Sequence, residues 1–164
     1  MPESEARPTS AADLDMVDAV VQLSFAVQGV LGRLAAEHDL SITQLRLLAI
    51  LRDRNPGMLE LARHLGLEKS SVSGLIDRAE GRHLVTRTAA PVDGRGVLVT
   101  LAPAGRRLVE QVADQVIAEL VALLAPVPAG ERARLSRLAT LVVQQQAAQR
   151  DVDLSAGLLA NLSP

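Results

Sequence analysis

Cysteine, tryptophan and tyrosine are absent from this chain of 164 residues, and Phe25 is its only aromatic residue. Without cysteine, the chain has no disulfide, thiolate metal ligand, cysteine nucleophile or cysteine-based redox sensor. The scarcity of aromatic residues disfavours an RNA-binding sheet that stacks bases on aromatic side chains. Apolar residues still make up 48% of the chain, so we expect a core of Leu, Val, Ile and Ala between packed helices.

The chain also shows no targeting signal. Its first ten residues, MPESEARPTS, lack the basic and apolar regions of a secretory signal peptide. No apolar run approaches the roughly 20 residues that span a bilayer, and the stretch over 117–127 contains Glu119 and Pro126. We therefore expect a soluble cytoplasmic protein with no membrane partner.

The net charge of −2 conceals an uneven distribution. Residues 41–107 hold 11 Lys and Arg against 6 Asp and Glu, whereas the rest of the chain holds 6 against 13. A basic centre between acidic arms suits a protein that presents one face to nucleic-acid phosphates. Chance clustering gives the same pattern, so the charge alone leaves both interpretations open.

Two capping boxes mark helix starts in the first third of the chain. Ser10 with Asp13 predicts a long helix to about residue 37, and Ser41 with Gln44 predicts a second helix to about residue 53. The first helix carries apolar residues on more than one face, which is more than one small domain covers. A subunit interface is the natural cover for it.

The stretch MLELARHLGLEKSSVSGLIDRAE, residues 58–80, is typical of two short helices that cross at a tight turn. Ala62 is small enough for the crossing, and Gly66 tolerates the positive φ that the turn requires. Apolar residues of both helices can form a buried wedge: Leu61, Leu65, Leu67, Val72, Leu75 and Ile76. The outward face of the second helix offers donors and acceptors for base edges and cations for phosphates, namely Lys69, Ser70, Ser71, Ser73, Asp77 and Arg78. An ordinary helical hairpin is the alternative interpretation.

The pattern then changes to two β-branched runs, over 84–88 and 97–101, with the turn PVDGRG between them. This predicts a two-stranded hairpin, as in the wing that follows the recognition helix of a winged helix-turn-helix. Asp93 can hold the guanidinium of Arg95 in one orientation, and an Arg so held suits a narrow minor groove. A solvated turn is the alternative interpretation of this tip.

Several motifs in order resemble the MarR/SlyA family of bacterial regulators: SITQLRLLAIL, ELARHLGLEKSSVSGLIDRAE, LVTR, Asp93-x-Arg95 and VLVTLAPAGRRL. The resemblance covers residues 41–108 closely and the flanking helices in layout only. It implies a homodimer, held by N- and C-terminal helices, that binds pseudopalindromic double-stranded DNA. Recognition helices would enter successive major grooves, and wings would follow the minor grooves.

The resemblance also implies the DNA contacts residue by residue. Bases or phosphates in the major groove would be met by Ser70, Ser71, Ser73 and Arg78. The DNA backbone would be met by Thr43, Lys69 and Arg87. Arg95 would enter the minor groove, positioned by Asp93.

Three positions depart from the family pattern. Gly74 stands where a larger polar residue is usual, so one base contact is in doubt. His83 replaces a helix-ending glycine, so the helix ends early or His83 takes a left-handed conformation. Ala102 replaces a Ser or Thr cap before Pro103, at a cost of about 1 kcal/mol.

Many relatives respond to small anionic or aromatic effectors bound between the dimer helices and the DNA-binding lobe. The corresponding candidates in this chain are Phe25, Gln28, Arg33, His38 and Arg46. Each of them is equally suited to a packing or a surface role.

No metal site, cofactor or enzymatic activity is predicted. The histidines His38, His64 and His83 stand in unlike contexts, and His38 and Asp39 point apart because they are adjacent, so we expect the histidines on helix surfaces. No nucleophile elbow, phosphate-binding loop or catalytic carboxylate pair is present in the sequence, and no βαβ repeat suggests a nucleotide-binding enzyme.

The predicted fold is mainly α with a small two-stranded β-hairpin wing, a winged helix-turn-helix with N- and C-terminal dimerisation helices. Its parts are a flexible tail (1–9), an N-terminal dimerisation helix (10–40), the DNA-binding lobe (41–101), C-terminal dimerisation helices (102–150) and a tail (151–164). The predicted function is a sequence-specific transcriptional regulator, a repressor released by an effector. The alternatives are a winged-helix metalloregulator and a helical dimeric interaction protein that has lost DNA binding.

Overall fold

Six helices and one β-hairpin make up the part of the chain that the structure, a computed structural model, describes: residues 10–89 and 96–149. In chain order the elements are α1 (Ala11–Glu37), α2 (Ile42–Asp53), α3 (Met58–Leu65), α4 (Lys69–Gly81), β1 (Val85–Ala89), β2 (Val97–Leu101), α5 (Pro103–Leu124) and α6 (Ala129–Gln149). This is the predicted mainly helical class with a hairpin. The predicted strand over 84–88 is shifted by one residue at both ends relative to β1, and the predicted strand over 97–101 matches β2.

Both predicted capping boxes are confirmed. The Ser10 hydroxyl accepts from the Asp13 backbone N–H at 3.2 Å, and the Asp13 carboxylate accepts from the Ser10 backbone N–H at 2.9 Å. The hydrogen bonds from the Ser10 side chain and backbone hold the pKa of Asp13 below its ordinary value. Ser41 and Gln44 repeat the arrangement at 3.1 and 2.8 Å. These bonds satisfy N–H groups that a helix start leaves without partners.

Three helices end in the same way, at a leucine that follows a residue with left-handed backbone. Leu40, Leu67 and Leu84 donate their backbone N–H groups to carbonyls five residues earlier, on Ala35, Ala62 and Ala79 respectively. The residues before these leucines have φ of 55° at Asp39, 66° at Gly66 and 57° at His83. This is the Schellman arrangement, which satisfies helix-end carbonyls and places an apolar side chain against the last turn. For His83 both expected outcomes occur, because α4 ends at Gly81 and His83 is left-handed.

The hairpin pairs antiparallel from Val85 opposite Leu101 to Ala89 opposite Val97. A further bridge joins Gly57 to Leu98, and the backbone N–H of Val99 donates to the Pro56 carbonyl at 3.0 Å. The segment between α2 and α3 therefore continues the small sheet, which no sequence pattern predicted. This pairing fixes the start of α3 against the hairpin.

One apolar core joins the lobe to parts of α1 and α5. Its largest fully buried side chains come from α2, α3, α4, the hairpin, α5 and the α2–α3 connection: Leu47, Leu48, Leu51, Leu61, Ile76, Val72, Val85, Val99, Val112 and Pro56. The last third of α1 contributes Val30, Leu34 and Ala35, packed with α2 and α5. The core thus anchors the lobe to one end of the long N-terminal helix.

Large apolar side chains outside this core are exposed on the terminal helices. On α1 they include Leu14, Met16, Val17, Val20, Val21, Leu23 and Phe25; on α5, Val121 and Leu123; on α6, Leu138, Leu141, Val142 and Val143. Among the described elements, α6 packs extensively against none. Much of the apolar surface of α1, α5 and α6 thus lacks cover within this chain.

By length and composition, α1 is a helix that could cross a membrane. This finding does not contradict the prediction above, which concerned unbroken apolar runs, because α1 reaches the necessary mean hydropathy with polar residues interspersed. Leu34 and Ala35 near its C-terminal end are nevertheless buried in the core described above.

Candidate nucleic-acid interface

The turn between α3 and α4 holds the two helices across a buried apolar wedge, as predicted. Gly66 has φ 66° and ψ 36°, a left-handed conformation that is inexpensive for glycine alone. Ala62 is buried at the crossing. The wedge residues Leu61, Leu65, Val72, Leu75 and Ile76 are buried, and Leu67 is partly buried against them. One face of α4 is thereby fixed in the core, and the opposite face is left to solvent.

That solvent face carries the predicted polar residues. Lys69, Ser70, Ser71 and Arg78 are exposed, and Ser73 is half-buried. The face begins at the N-terminal end of α4, where unpaired backbone N–H groups and the helix dipole favour anions. Within the described part of the chain, neither Lys69 nor Arg78 forms an ion pair.

Gly74, which lacks a side chain in the middle of this face, lies under Arg78. A Cβ at position 74 would lie 3.5 Å from Nη1 of Arg78. Helical side chains lean toward the N-terminus, so the guanidinium of residue 78 covers the turn before it. Because Gly74 has no side chain, the guanidinium of Arg78 lies over the centre of the exposed face.

Arg87 on β1 is bound to two carboxylates of α4. Its guanidinium donates to Asp77 at 2.5 Å from Nη2 and to Glu80 from Nη1, and its backbone N–H also donates to Glu80 at 3.2 Å. The hydrogen bond to Asp77, reinforced by Glu80, raises the pKa of Arg87 above its ordinary value. This cluster ties the first strand of the hairpin to α4 and counters two negative charges on that helix.

The other residues predicted to contact DNA, Thr43, Asp93 and Arg95, are not part of α4. Thr43 is half-buried in the first turn of α2. Asp93 and Arg95, the predicted tip of the wing, lie outside the described residues.

The expectation that all three histidines lie on helix surfaces is wrong for His64. Its exposed fraction is 8%, and its ring Nε2 lies 3.0 Å from Nη1 of Arg54. The same ring nitrogen lies 3.6 Å from Oε1 of Glu60, one turn earlier on α3. The backbone carbonyl of His64 accepts from Arg46 at 2.8 Å. Arg46 on α2 and Arg54 just after it are polar partners that offset the cost of burying His64. Helical periodicity alone could not predict this burial.

The five effector candidates do not converge on one place. Arg33 pairs with Glu119, and His38 Nε2 lies 3.1 Å from Oε1 of Gln115, so both of these residues face α5. Arg46 instead bonds α3, as described above. Phe25 and Gln28 are exposed on α1, with Phe25 62% exposed.

Arg82 has a role that no sequence pattern predicted. It immediately follows α4, and its guanidinium donates to the carbonyl oxygens of Asp39 at 2.6 Å and His38 at 3.0 Å. These carbonyls lie at the end of α1, more than 40 residues away along the chain. An isolated cation at a helix end carries no sequence signal for a partner so distant.

The search for metal ligands covered residues 10–89 and 96–149. Within these ranges, no three His, Cys, Asp or Glu side chains form a group that could hold a metal ion.

Comparison with known proteins gives a family and a fold. Residues 38–96 match the model of the MarR family. AbsC, a MarR family transcriptional regulator from Streptomyces coelicolor, has a similar structure, with a TM-score of 0.74 and 18% identity over 87% of this chain and 99% of its own. None of the curated proteins matches the chain.

Two further solved structures were obtained with bound partners. A mutant of MarR from E. coli, complexed with operator DNA, has a TM-score of 0.66 and 25% identity over 78% of this chain and 93% of its own. NadR in complex with 4-hydroxyphenylacetate has a TM-score of 0.66 and 19% identity over 87% of this chain and 97% of its own. These three structures thus share the described fold along nearly their whole length.

Proposed function

We propose, from the match of residues 38–96 to the MarR family model, that this chain is a MarR-family regulator and a sequence-specific DNA-binding transcriptional repressor. It binds a pseudopalindromic operator as a homodimer, and a small anionic or aromatic effector releases it. It acts in the cytoplasm and catalyses no reaction.

The exposed face of α4 carries this proposal. Its serines offer hydrogen-bond donors and acceptors at Ser70, Ser71 and Ser73, and Arg78 covers Gly74 at the centre of the face. A guanidinium in that position can bind the O6 and N7 atoms of guanine in the major groove with two hydrogen bonds. The operator complex of the E. coli relative supports DNA as the partner of this fold.

The cationic side chains of the lobe differ in whether a carboxylate already binds them, and this affects how easily each can bind a phosphate. Lys69 and Arg78 are exposed and free of ion pairs within the described residues. Arg87 is already bound by Asp77 and Glu80, so a phosphate must compete with two carboxylates for it. We therefore assign phosphate binding first to Lys69 and the guanine contact to Arg78, with Arg87 chiefly holding the wing against α4. Thr43, and Asp93 with Arg95, retain the backbone and minor-groove roles implied by the family.

The exposed apolar side chains of α1, α5 and α6 support the homodimer. They belong to three helices at both ends of the described chain, and α6 has no extensive packing of its own among the described elements. Exposed apolar side chains in such numbers are typical of a protein interface. A bilayer would have to accommodate α1 together with its buried C-terminal third, which packs in the core of the lobe. A second copy of the chain covers all three helices without disturbing that core.

The contacts between α1 and α5 support an effector site there. Arg33 and His38 bring a guanidinium and an imidazole to this junction, and both groups bind carboxylates well. The complex of NadR with 4-hydroxyphenylacetate, an aromatic carboxylate, supports that class of effector for the fold. The other candidates are not part of these contacts, since Arg46 bonds α3 and Phe25 and Gln28 are exposed on α1.

Selection of DNA from a random-sequence pool tests the proposal and identifies the operator in the same experiment. The full-length protein should enrich one inverted repeat whose half-sites lie about one helical turn apart. Arg78→Gln should change the preferred base at one position of each half-site. Enrichment of no motif would contradict sequence-specific recognition, and enrichment of a single half-site would contradict the dimer.

A further inference from the structure

Arg82 joins the end of α4 directly to the end of α1. Its guanidinium donates from Nη1 to the Asp39 carbonyl at 2.6 Å and from Nη2 to the His38 carbonyl at 3.0 Å. The planar fork of the guanidinium binds two successive carbonyls at once. A lysine ammonium, which is a point charge on a flexible stem, does not match this geometry.

The two carbonyls lie at the C-terminal end of α1, where backbone hydrogen bonds complete the last turn and the helix dipole is negative. The backbone N–H groups of Asp39 and Leu40 bond back to the carbonyls of Ala36 and Ala35, which closes the last turn of α1. That last turn contains no basic residue of its own. Arg82 therefore supplies the positive charge that the negative end of the helix dipole favours.

The same end of α1 also contacts α5. His38, whose carbonyl accepts from Arg82, has its ring nitrogen 3.1 Å from Gln115, and one turn earlier Arg33 pairs with Glu119. Among the described elements, α1 packs extensively against α2 and α5, but α1 and α4 are not an extensively packed pair. The Arg82 side chain is therefore the direct link by which a shift of α1 against α5 reaches α4.

We propose that Arg82 is a positioning residue for DNA recognition, fixing the angle of α4 against α1 without touching DNA. This inference rests on the proposed function, because it takes α4 as the recognition helix and α1 as part of the dimer interface. In a dimer the angle of α4 against α1 sets the separation of the two recognition helices. Arg82 therefore determines how well the protein distinguishes a correctly spaced operator from random DNA.

The test compares wild type with Arg82→Lys, Arg82→Gln and the contrasting variant Lys69→Gln, all as full-length protein. Dissociation constants are measured for the selected operator and for a random duplex of equal length, at several salt concentrations. Both Arg82 variants should lose about ten-fold in operator affinity. Their affinity for random DNA and their salt dependence should stay as in wild type, because no phosphate contact is lost. Lys69→Gln should bind both duplexes more weakly, and its log–log salt slope should fall by about one.

If Arg82 instead contacted a DNA phosphate, its two variants would show a different pattern of affinities and salt slopes. Arg82→Gln would then lose about one unit of salt slope on both duplexes, and Arg82→Lys would bind like wild type because it keeps the charge. That pattern, or wild-type operator preference in both variants, would overturn the proposal.

Hydrogen exchange of the free protein separates this inference from the proposed function. In both Arg82 variants, the amides at the ends of α1 and α4 should lose protection together, while the α3–α4 turn keeps its own. Unchanged protection at the end of α1 would refute the link. If wild type shows no preference for any operator, the proposed function fails while the exchange result still reports on the link between the two helices.

Discussion

Gly105 is the position at which a single added methyl group should be most disruptive, and Gly105→Ala is expected to destabilise the fold. The first turn of α5 approaches the chain just before β1, where the Leu84 carbonyl accepts from the backbone N–H of Ala102 at 3.0 Å. A Cβ at position 105 would overlap the carbonyl oxygen of Leu84 and lie 2.9 Å from its carbonyl carbon. Because both neighbours are backbone atoms, no side-chain rotation relieves the overlap.

The expected loss follows from two opposing effects. Alanine in place of glycine favours a helix by about 1 kcal/mol. Overpacking in a rigid interior costs about 1–3 kcal/mol or more, and an overlap with backbone belongs at the upper end of that range. We expect a net loss of about 2 kcal/mol in the free energy of unfolding, with weakened attachment of the hairpin to α5.

Chemical denaturation followed by far-ultraviolet circular dichroism measures this loss, because the chain has neither Trp nor Tyr for fluorescence. Gly81→Ala is the matched control, since a Cβ at this helical position would meet nothing within 4 Å. The control should stay within about 1 kcal/mol of wild type, on the stabilising side. All variants are compared at equal concentration, because a dimer's stability depends on it. A Gly105→Ala protein as stable as its control would refute the close approach of α5 to Leu84.

Three further predictions concern a strained residue, a cap and the subunit interface. His83→Gly should stabilise the protein by about 0.5–1 kcal/mol in the same denaturation assay, because it removes a left-handed histidine; a loss of stability would contradict the φ of 57°. Ser41→Ala should cost about 1 kcal/mol by removing the cap of α2, and Ser41→Asp should restore most of it. Val142→Glu, at an exposed apolar position of α6, should convert the dimer into a folded monomer in sedimentation velocity; an unchanged dimer would place the interface elsewhere.

The order of elements could be predicted because short-range rules determine most of it. The capping boxes at Ser10 and Ser41, the glycine turn at Gly66 and the proline that starts α5 at Pro103 each act within a few residues of the chain. The spacing of alanine and leucine at the three helix ends does not by itself predict the left-handed Asp39, because the same spacing occurs inside α1 at Ala26 and Leu31 and inside α6 at Ala133 and Leu138.

The candidate site could be predicted less fully, because it depends on contacts between distant segments. The polar face of α4 follows from helical spacing, but the burial of His64 depends on Arg54 from another element. The ion pairs of Arg87 with Asp77 and Glu80 require the fold to bring β1 beside α4. No rule of sequence spacing predicts such ion pairs. The sequence therefore indicated only a contact between Arg87 and the DNA backbone.

The central claim is that α4 recognises a specific DNA sequence, and its most direct test is the ratio of dissociation constants for the selected operator and for random duplex. Fluorescence anisotropy of labelled DNA at physiological salt gives both constants under identical conditions. The account predicts operator binding about 1,000-fold tighter or more than random binding, with both affinities falling steeply as salt rises. Equal affinity for the two duplexes across the salt range would contradict it.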